Sequence, residues 1–305
     1  MAAIWTSYQL LLAARPQLMS ACFGFSYTDT LKILGKWGPG YHFFAEGSDD
    51  EIDILEWILQ SKSISVLYTE LRKLADQHDF LIVVDATIGT FANIQVLPYA
   101  DIVITSLSRY FSGKANVTGG SLVLNPRSKR YPTLKPQLES MYEDNYWSED
   151  VLTMEYNSRD FISRMHTINQ TAEFLADFLH AHSSTPTTVL KKLLYPKWET
   201  RAYYDISKLT SGNSGFGGLI SLTFTTMDTS RAFFENLNCA KGPSLGANCT
   251  LACPYAILVY YTEQAWAQVY GVEPGMVRIS VGLEDKEDLM GWVKVALDSA
   301  EATAH

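Results

Sequence analysis

The stretch FLIVVDATIGTFANIQVLPYADIVITSLSRYFSGKANVTGGSLVLN, residues 80–125, decides how the chain is read. It holds three short apolar, β-branched runs: Leu81–Val84, Ile102–Thr105 and Ser121–Leu124. Runs of that length, apolar throughout and bounded by turn residues, predict strands buried on both faces, as in a parallel sheet. Asp85 follows the first run, and Ser106 and Ser108 follow the second. Open α/β sheets bind ligands just beyond the carboxyl ends of their strands. The spacing therefore points to a ligand crevice at Asp85, Ser106 and Ser108.

Upstream, residues 1–20 carry helical spacing at Ile4, Leu10, Leu11 and Leu12. The segment ACFGFSYTDTLKILGKW (21–37) reads as a strand, then a helix that Asp29 or Thr30 caps, stopped by Gly38-Pro39-Gly40. YHFFAEG (41–47) predicts a strand, and DDEIDILEWILQ (49–60) an amphipathic helix with acidic residues at its positive end. SISVLYTE (63–70) reads as a strand that runs directly into a helix at LRKLADQHD (71–79), with no turn residue between. Strands alternating with helices imply βαβ units.

Downstream, 127–150 is polar and Tyr-rich, and 150–182 predicts one long or two consecutive helices. Beyond Pro186, alternating patterns at TTVLKKLLYP, GLISLTFTT, YAILVYYT and MVRISVGLE predict strands, with helices at 228–237 and 285–302. The expected division is a large domain at 1–165 and a small C-terminal one at 166–305, with the helix near 155–180 between them.

Composition narrows the function classes. At 305 residues, 47% hydrophobic and 19% charged, the chain can bury the core of one or two domains. A net charge of −9 without a Lys/Arg cluster argues against nucleic acid as partner. No apolar stretch is long enough to span a membrane, and the N-terminus lacks a basic region and a cleavage site, so we expect a cytoplasmic protein. Cys22, Cys239, Cys249 and Cys253 lack zinc-like pairing and are expected to be buried free thiols, with no metal site. The six histidines are scattered and carry no assigned chemistry.

A carboxylate at Asp85, hydroxyls at Ser106 and Ser108, and an aromatic at another strand end, Tyr27, would suit pyridoxal 5'-phosphate (PLP). The carboxylate would face the ring nitrogen, the hydroxyls the phosphate and the aromatic the ring. Plainer readings stand beside these: Asp85 as a strand-end turn residue and Tyr27 as core packing; Arg278, in the later run MVRISVGLE, reads plainly as a surface strand residue.

Blocks spread along the chain sharpen this. They are Met1–Ile4, Phe25-Ser-Tyr27-Thr-Asp-Thr30, Val84-Asp85-Ala-Thr87, Asp101-Ile-Val-Ile-Thr-Ser106-Leu-Ser108, Gly119-Gly120-Ser121, Ser244-Leu245-Gly246 and Arg278-Ile-Ser-Val-Gly-Leu-Glu284. Together they resemble the Cys/Met-metabolism (trans-sulfuration) family of PLP enzymes, the cystathionine γ-synthase group, and its fungal branch in particular. The resemblance implies an α/β fold, the PLP-dependent transferase fold type I, with a large mostly parallel-sheet domain and a smaller C-terminal α/β domain. It implies PLP as cofactor and C–S bond transfer or lyase chemistry at the γ-carbon of a homoserine-derived amino acid. It also implies a homo-oligomer, a dimer or tetramer. Carried over by position, Tyr27 stacks on the ring and Asp85 pairs with its nitrogen. Thr87 lies beside Asp85, and Ser106 and Ser108 hold the phosphate. Ser244 lies near the substrate, and Arg278 clamps its carboxylate.

The chain departs from the family at Arg109, which stands where relatives carry the Schiff-base lysine. A guanidinium stays protonated and is no Schiff-base nucleophile. Lys114, five residues on, reads as a solvated surface lysine. The resemblance further implies an N-terminal region before Met1 and a loop at Glu70–Leu71 that this sequence lacks. The second reading is accordingly a catalytically inactive or non-Schiff-base relative that serves as a partner subunit, or an incomplete gene product.

Overall fold

The computed structural model describes residues 1–15, 18–45, 48–60, 68–210 and 212–304. Its contacts divide the chain into two compact units, neither a continuous run. Unit 1 comprises Met1–Thr87, Gln95–Leu107 and Thr118–Leu152. Unit 2 comprises Ile88–Ile94, Ser108–Val117 and Thr153–His305.

Unit 1 begins with helix α1 (Ala2–Ala14), followed by β1 (Ser20–Phe23), α2 (Thr28–Trp37) and β2 (Tyr41–Phe44). β1 and β2 pair in parallel from Ser20↔Tyr41 to Phe23↔Phe44. Neither Asp29 nor Thr30 caps α2; Tyr27 occupies the N-cap and no side chain satisfies the first turn. Next come α3 (Asp49–Gln60), over the span its acidic start and apolar stripe predict, and α4 (Tyr68–His78).

The strand expected at 63–70 is corrected in part: 68–70 are helical, and 63–67 lie outside the described residues. Leu71, Leu74 and Ala75 are buried at helical spacing, and the helix extends one turn ahead of that stripe. There is accordingly no strand-to-helix step at Glu70–Leu71.

The 80–125 stretch forms β3 (Val83–Asp85), β4 (Ile102–Ser106) and β5 (Gly120–Leu124), a sheet of order β3-β4-β5. β3 and β4 are parallel, as expected, but β5 runs antiparallel to β4 and Val123 is exposed. A third strand buried on both faces is therefore not found. β5 instead turns back beside β4 as a half-covered edge, a geometry antiparallel strands accommodate.

Helix α5 (Tyr131–Met141) lies in the polar, Tyr-rich stretch; of its two prolines, Pro132 stands in the first turn, where its missing N–H needs no helical partner, and Pro136 lies inside the helix. Leu10 of α1, Leu81, Ile102 and Ile104 of the sheet region and Leu134 of α5 make one buried cluster. Asp101, 2% exposed, closes the sheet's lower end. Its Oδ2 accepts from Ile82 N at 2.8 Å and from Arg72 Nη1 at 3.0 Å, and its Oδ1 accepts from Ser128 Oγ. A buried carboxylate so fully bonded is an anchor of the fold.

Helix α6 (Ser148–Ser158) belongs in part to each unit, and α7 (Phe161–Ser183) to unit 2, confirming two consecutive helices. The sequence boundary at 165/166 falls within α7; we retain it as a proposal about where independently folding parts would separate.

Unit 2 continues with β6 (Leu190–Leu194), α8 (Arg201–Ser207), β7 (Leu219–Phe224), α9 (Met227–Asn236), β8 (Ala240–Lys241) and β9 (Leu251–Pro254). Then come α10 (Tyr255–Val259), α11 (Gln264–Val269), β10 (Val277–Ser280) and α12 (Lys286–Ala302). The strands form one sheet of order β6-β7-β10-β9-β8, antiparallel except where β8 meets β9. YAILVYYT is corrected from strand to helix at 255–259; the strand lies just before it, at β9. Apolar residues of α7, α9 and α12, among them Leu175, Phe233 and Leu289, bury against β7 and β10.

No described helix is long and apolar enough to cross a membrane. Among the described residues no group of His, Cys, Asp or Glu is arranged to hold a metal ion. All four cysteines are free, and Cys22 and Cys253 are buried, but Cys239 is half-buried and Cys249 exposed, against the expectation that all four are buried.

Candidate functional site

In unit 1 the strand ends behave as parallel-sheet geometry requires. Pleating buries Val84 and exposes Asp85, which pairs in register with Ile104 of β4. Asp85 Oδ1 accepts from Thr87 N at 2.9 Å and from Thr87 Oγ1 at 2.5 Å. Thr87 Oγ1 in turn accepts from Ser106 N at 2.9 Å. One threonine hydroxyl, donor to the carboxylate and acceptor from the next strand, thus links Asp85, Thr87 and Ser106.

Asp85 Oδ2 accepts no hydrogen bond from any described residue, so the carboxylate keeps one open acceptor. Leu107 N donates to Gly119 O at 2.9 Å, which ties the end of β4 to the approach of β5. Tyr27, in the same unit, is 49% exposed at the N-cap of α2, so core packing does not describe it.

In unit 2, Ser108 and Arg109 lie on the π-helical turn Leu107–Phe111, which follows β4 in the chain. Its backbone leaves helical geometry at Arg109 (φ −90°, ψ −129°). The half-buried Arg109 donates through Nη1 to Ser244 Oγ. Arg278, on β10, donates through Nη2 to Pro243 O at 2.7 Å and lies with Cζ 4.4 Å from the Tyr255 ring centroid. Two guanidiniums therefore hold consecutive residues of one loop.

That loop is fixed by Gly246 (φ +70°), whose N donates to Ser280 Oγ at 2.8 Å. A Cβ on Gly246 would stand 2.6 Å from Tyr110 N, so only glycine allows this approach. Glu284, the acid closing the Arg278 block, is occupied structurally. Its two oxygens accept from Thr250 N and Thr250 Oγ1, each at 2.6 Å.

Sequence reasoning missed Arg164, which is 5% exposed. Its Nη1 donates to Tyr110 O at 3.0 Å and Asn248 Oδ1 at 3.2 Å. Its Nη2 donates to Phe111 O at 2.8 Å and Asn157 O at 3.1 Å, and its Nε to Asp160 at 2.7 Å. Asn157 in turn donates to Ser112 Oγ and Asn116 Oδ1, both at 2.9 Å. The bond to Arg164 holds the Asp160 carboxyl below its ordinary value. These contacts hold the turn that presents Arg109. The signal was present: Arg164 shares a helix face with the buried Phe161, Met165 and Ile168, and a buried arginine must have its donors met.

Residues 68–298 match the family described as Cys/Met metabolism PLP-dependent enzyme. A cystathionine gamma-synthase-like enzyme of Amanita muscaria is 48% identical over 99% of this chain and 54% of its own length. The cystathionine gamma-synthase of Neurospora crassa is 44% identical over 93% of this chain and 47% of its own. The first alignment runs over 337 residues, longer than the 305 of this chain, so the relative carries stretches within it that this chain lacks.

Among solved structures, cystathionine gamma synthase of Xanthomonas oryzae in complex with cystathionine superposes with a TM-score of 0.80 at 23% identity, covering 98% of this chain and 80% of that one. A putative O-acetylhomoserine (thiol)-lyase of Campylobacter jejuni, containing N'-pyridoxyl-lysine-5'-monophosphate, gives 0.81 at 17% identity over 98% and 80%. The chain belongs to the Cys/Met-metabolism family of PLP-dependent enzymes, the cystathionine gamma-synthase-like trans-sulfuration group, and has its fold type I. It spans about half the length of the curated relatives it matches.

The donor set fits part of PLP. Within unit 1, an exposed carboxylate with one open oxygen suits a protonated ring nitrogen, and the hydroxyl of Ser106 suits a phosphate. The aldehyde end is not matched, because Arg109 has no nucleophilic amine.

Proposed function

We propose that this chain binds PLP without a covalent bond and serves C–S bond transfer at the γ-carbon of a homoserine-derived amino acid. The observation that carries the proposal is the hydrogen-bonded series Asp85–Thr87–Ser106 at the carboxyl ends of two parallel strands. In this reading Asp85 holds the ring nitrogen with its open oxygen, and Thr87 fixes the carboxylate. Ser106 and Ser108 hold the phosphate, and Tyr27 covers a ring face. When bound, PLP supplies an electron sink for charge developing at the substrate's α-carbon. Ser244 and Arg278 hold the amino-acid substrate, Arg278 by its carboxylate. The proposed setting is a cytoplasmic homo-oligomer acting on a small amino acid, the substrate class named for relatives crystallised with cystathionine and with cysteine.

A second reading is favoured by one observation: Arg109 is bonded to Ser244 where family members carry the lysine that binds PLP and moves protons. On that reading the chain is a silent partner subunit. Incubation of the full chain with PLP, an activated homoserine and a thiol, followed by mass spectrometry, separates the two. A thioether product supports the first reading. PLP binding without product supports the second, and absence of both PLP binding and product refutes the proposal.

A further inference from the structure

The charge around Arg109 is unbalanced. Among the described residues no Asp or Glu forms an ion pair with Arg109 or with Arg278. The nearest acid of the Arg278 block, Glu284, has both oxygens taken by Thr250. Arg278 Nε is buried and makes no hydrogen bond to a described residue. The Tyr255 ring and the Cys253 thiol face Arg278, and burial pushes the Cys253 thiol up, so neither supplies a carboxylate. Two part-buried cations thus touch consecutive residues, Pro243 and Ser244, with no counter-charge beside them. Removing such groups from water is costly without a partner, and an anion is the partner that restores the balance.

We propose that Arg109 and Arg278 together form a two-guanidinium site within unit 2 that binds a small organic dicarboxylate, independently of PLP. The inference rests on the reading above for the carboxylate role of Arg278 and adds a second anion contact at Arg109. A planar guanidinium matches a carboxylate through paired N–H groups, and two of them select a ligand with two acidic ends. The site is preorganised. Ser244 orients Arg109, the Tyr255 ring and Pro243 O orient Arg278, and Gly246 locks the loop onto Ser280. Little side-chain freedom is left to lose on binding. A lysine at 109 would present a single point charge instead of a fork, so the replacement that removes Schiff-base capacity installs carboxylate recognition.

Isothermal titration of the full chain, its PLP content followed separately by absorbance, tests the proposal with succinate, propionate and inorganic phosphate as probes. Succinate is expected to bind at least about tenfold more tightly than propionate. Arg109→Gln and Arg278→Gln are each expected to bring succinate to the propionate level. Arg109→Lys is expected to retain intermediate affinity, which separates loss of charge from loss of fold. Unchanged circular dichroism and melting temperature qualify each variant, and Ser244→Ala, a smaller change, stands in for Arg109→Gln if that variant unfolds. Equal affinity for succinate and propionate, tighter binding of phosphate than of succinate, or full succinate affinity in Arg109→Gln would each overturn it. Failure of PLP binding with the succinate selectivity intact would refute the cofactor reading and leave this site standing.

Discussion

Arg109 Nη1 donates a hydrogen bond to Ser244 Oγ, joining the turn after β4 to the loop before β9 inside unit 2. Both residues are half-buried, so the bond is partly shielded from water. A double-mutant cycle on Arg109→Ala and Ser244→Ala is expected to give a coupling of about 1 kcal/mol in urea unfolding. Strict additivity would mean that the pair contributes nothing.

Thr87 is expected to matter through its hydroxyl. Thr87→Val removes the donor to Asp85 Oδ1 and leaves Ser106 N–H without its acceptor, at a cost of about 1–2 kcal/mol. Thr87→Ser retains both bonds. PLP affinity, measured by equilibrium dialysis, is expected to fall in Thr87→Val and to hold in Thr87→Ser. Equal affinity in the two would separate the hydroxyl from the cofactor site.

Gly246→Ala is expected to destabilise by about 2 kcal/mol or more. The new Cβ meets Tyr110 N at 2.6 Å, and φ of +70° disfavours any side chain. A urea midpoint equal to wild type would show that the loop can move aside.

Arg164→Met deprives three backbone carbonyls and Asn248 Oδ1 of their donor, and is expected to cost about 3 kcal/mol or more. The expected signature is a lower unfolding midpoint. A loss below about 1 kcal/mol would show that water replaces the guanidinium.

Asp160 gives a pH test with a definite sign. Its bond to Arg164 depresses its pKa, so the contribution is present above the ordinary aspartate value of about 3.9 and lost as pH falls through the folded value. The carboxylate is 62% exposed, which limits the effect to at most about 1 kcal/mol. Wild type is expected to exceed Asp160→Asn in stability above about pH 5, with the gap closing as pH falls below the ordinary aspartate value. A constant gap across that range would contradict the assignment.

The sequence was most informative where a local pattern met a buried strand. Leu81–Val84 and Ile102–Thr105 are legible because burial of parallel strands demands apolar residues throughout, and Asp85 and Ser106 stand out as the polar residues that end them. The antiparallel direction of β5 is not legible, because its composition is compatible with either pairing. YAILVYYT is β-branched and aromatic, yet the strand β9 takes the four residues before it, between β10 and β8, and the chain then turns into α10. Arg164 was passed over because an arginine on an amphipathic helix ordinarily faces water; only the carbonyls of Tyr110, Phe111 and Asn157, remote or irregular in sequence, explain its burial. The Arg109–Ser244 pairing spans 135 residues and no local signal reveals it.

The central claim, a PLP site that holds its cofactor without a lysine, is tested most directly by borohydride. The full chain is saturated with PLP, reduced, and mapped by peptide mass spectrometry beside Arg109→Lys. The account predicts PLP bound before reduction, lost from wild type on denaturation after it, and fixed at position 109 in the lysine variant. A wild-type peptide carrying reduced PLP on Lys114 or any other lysine would contradict it.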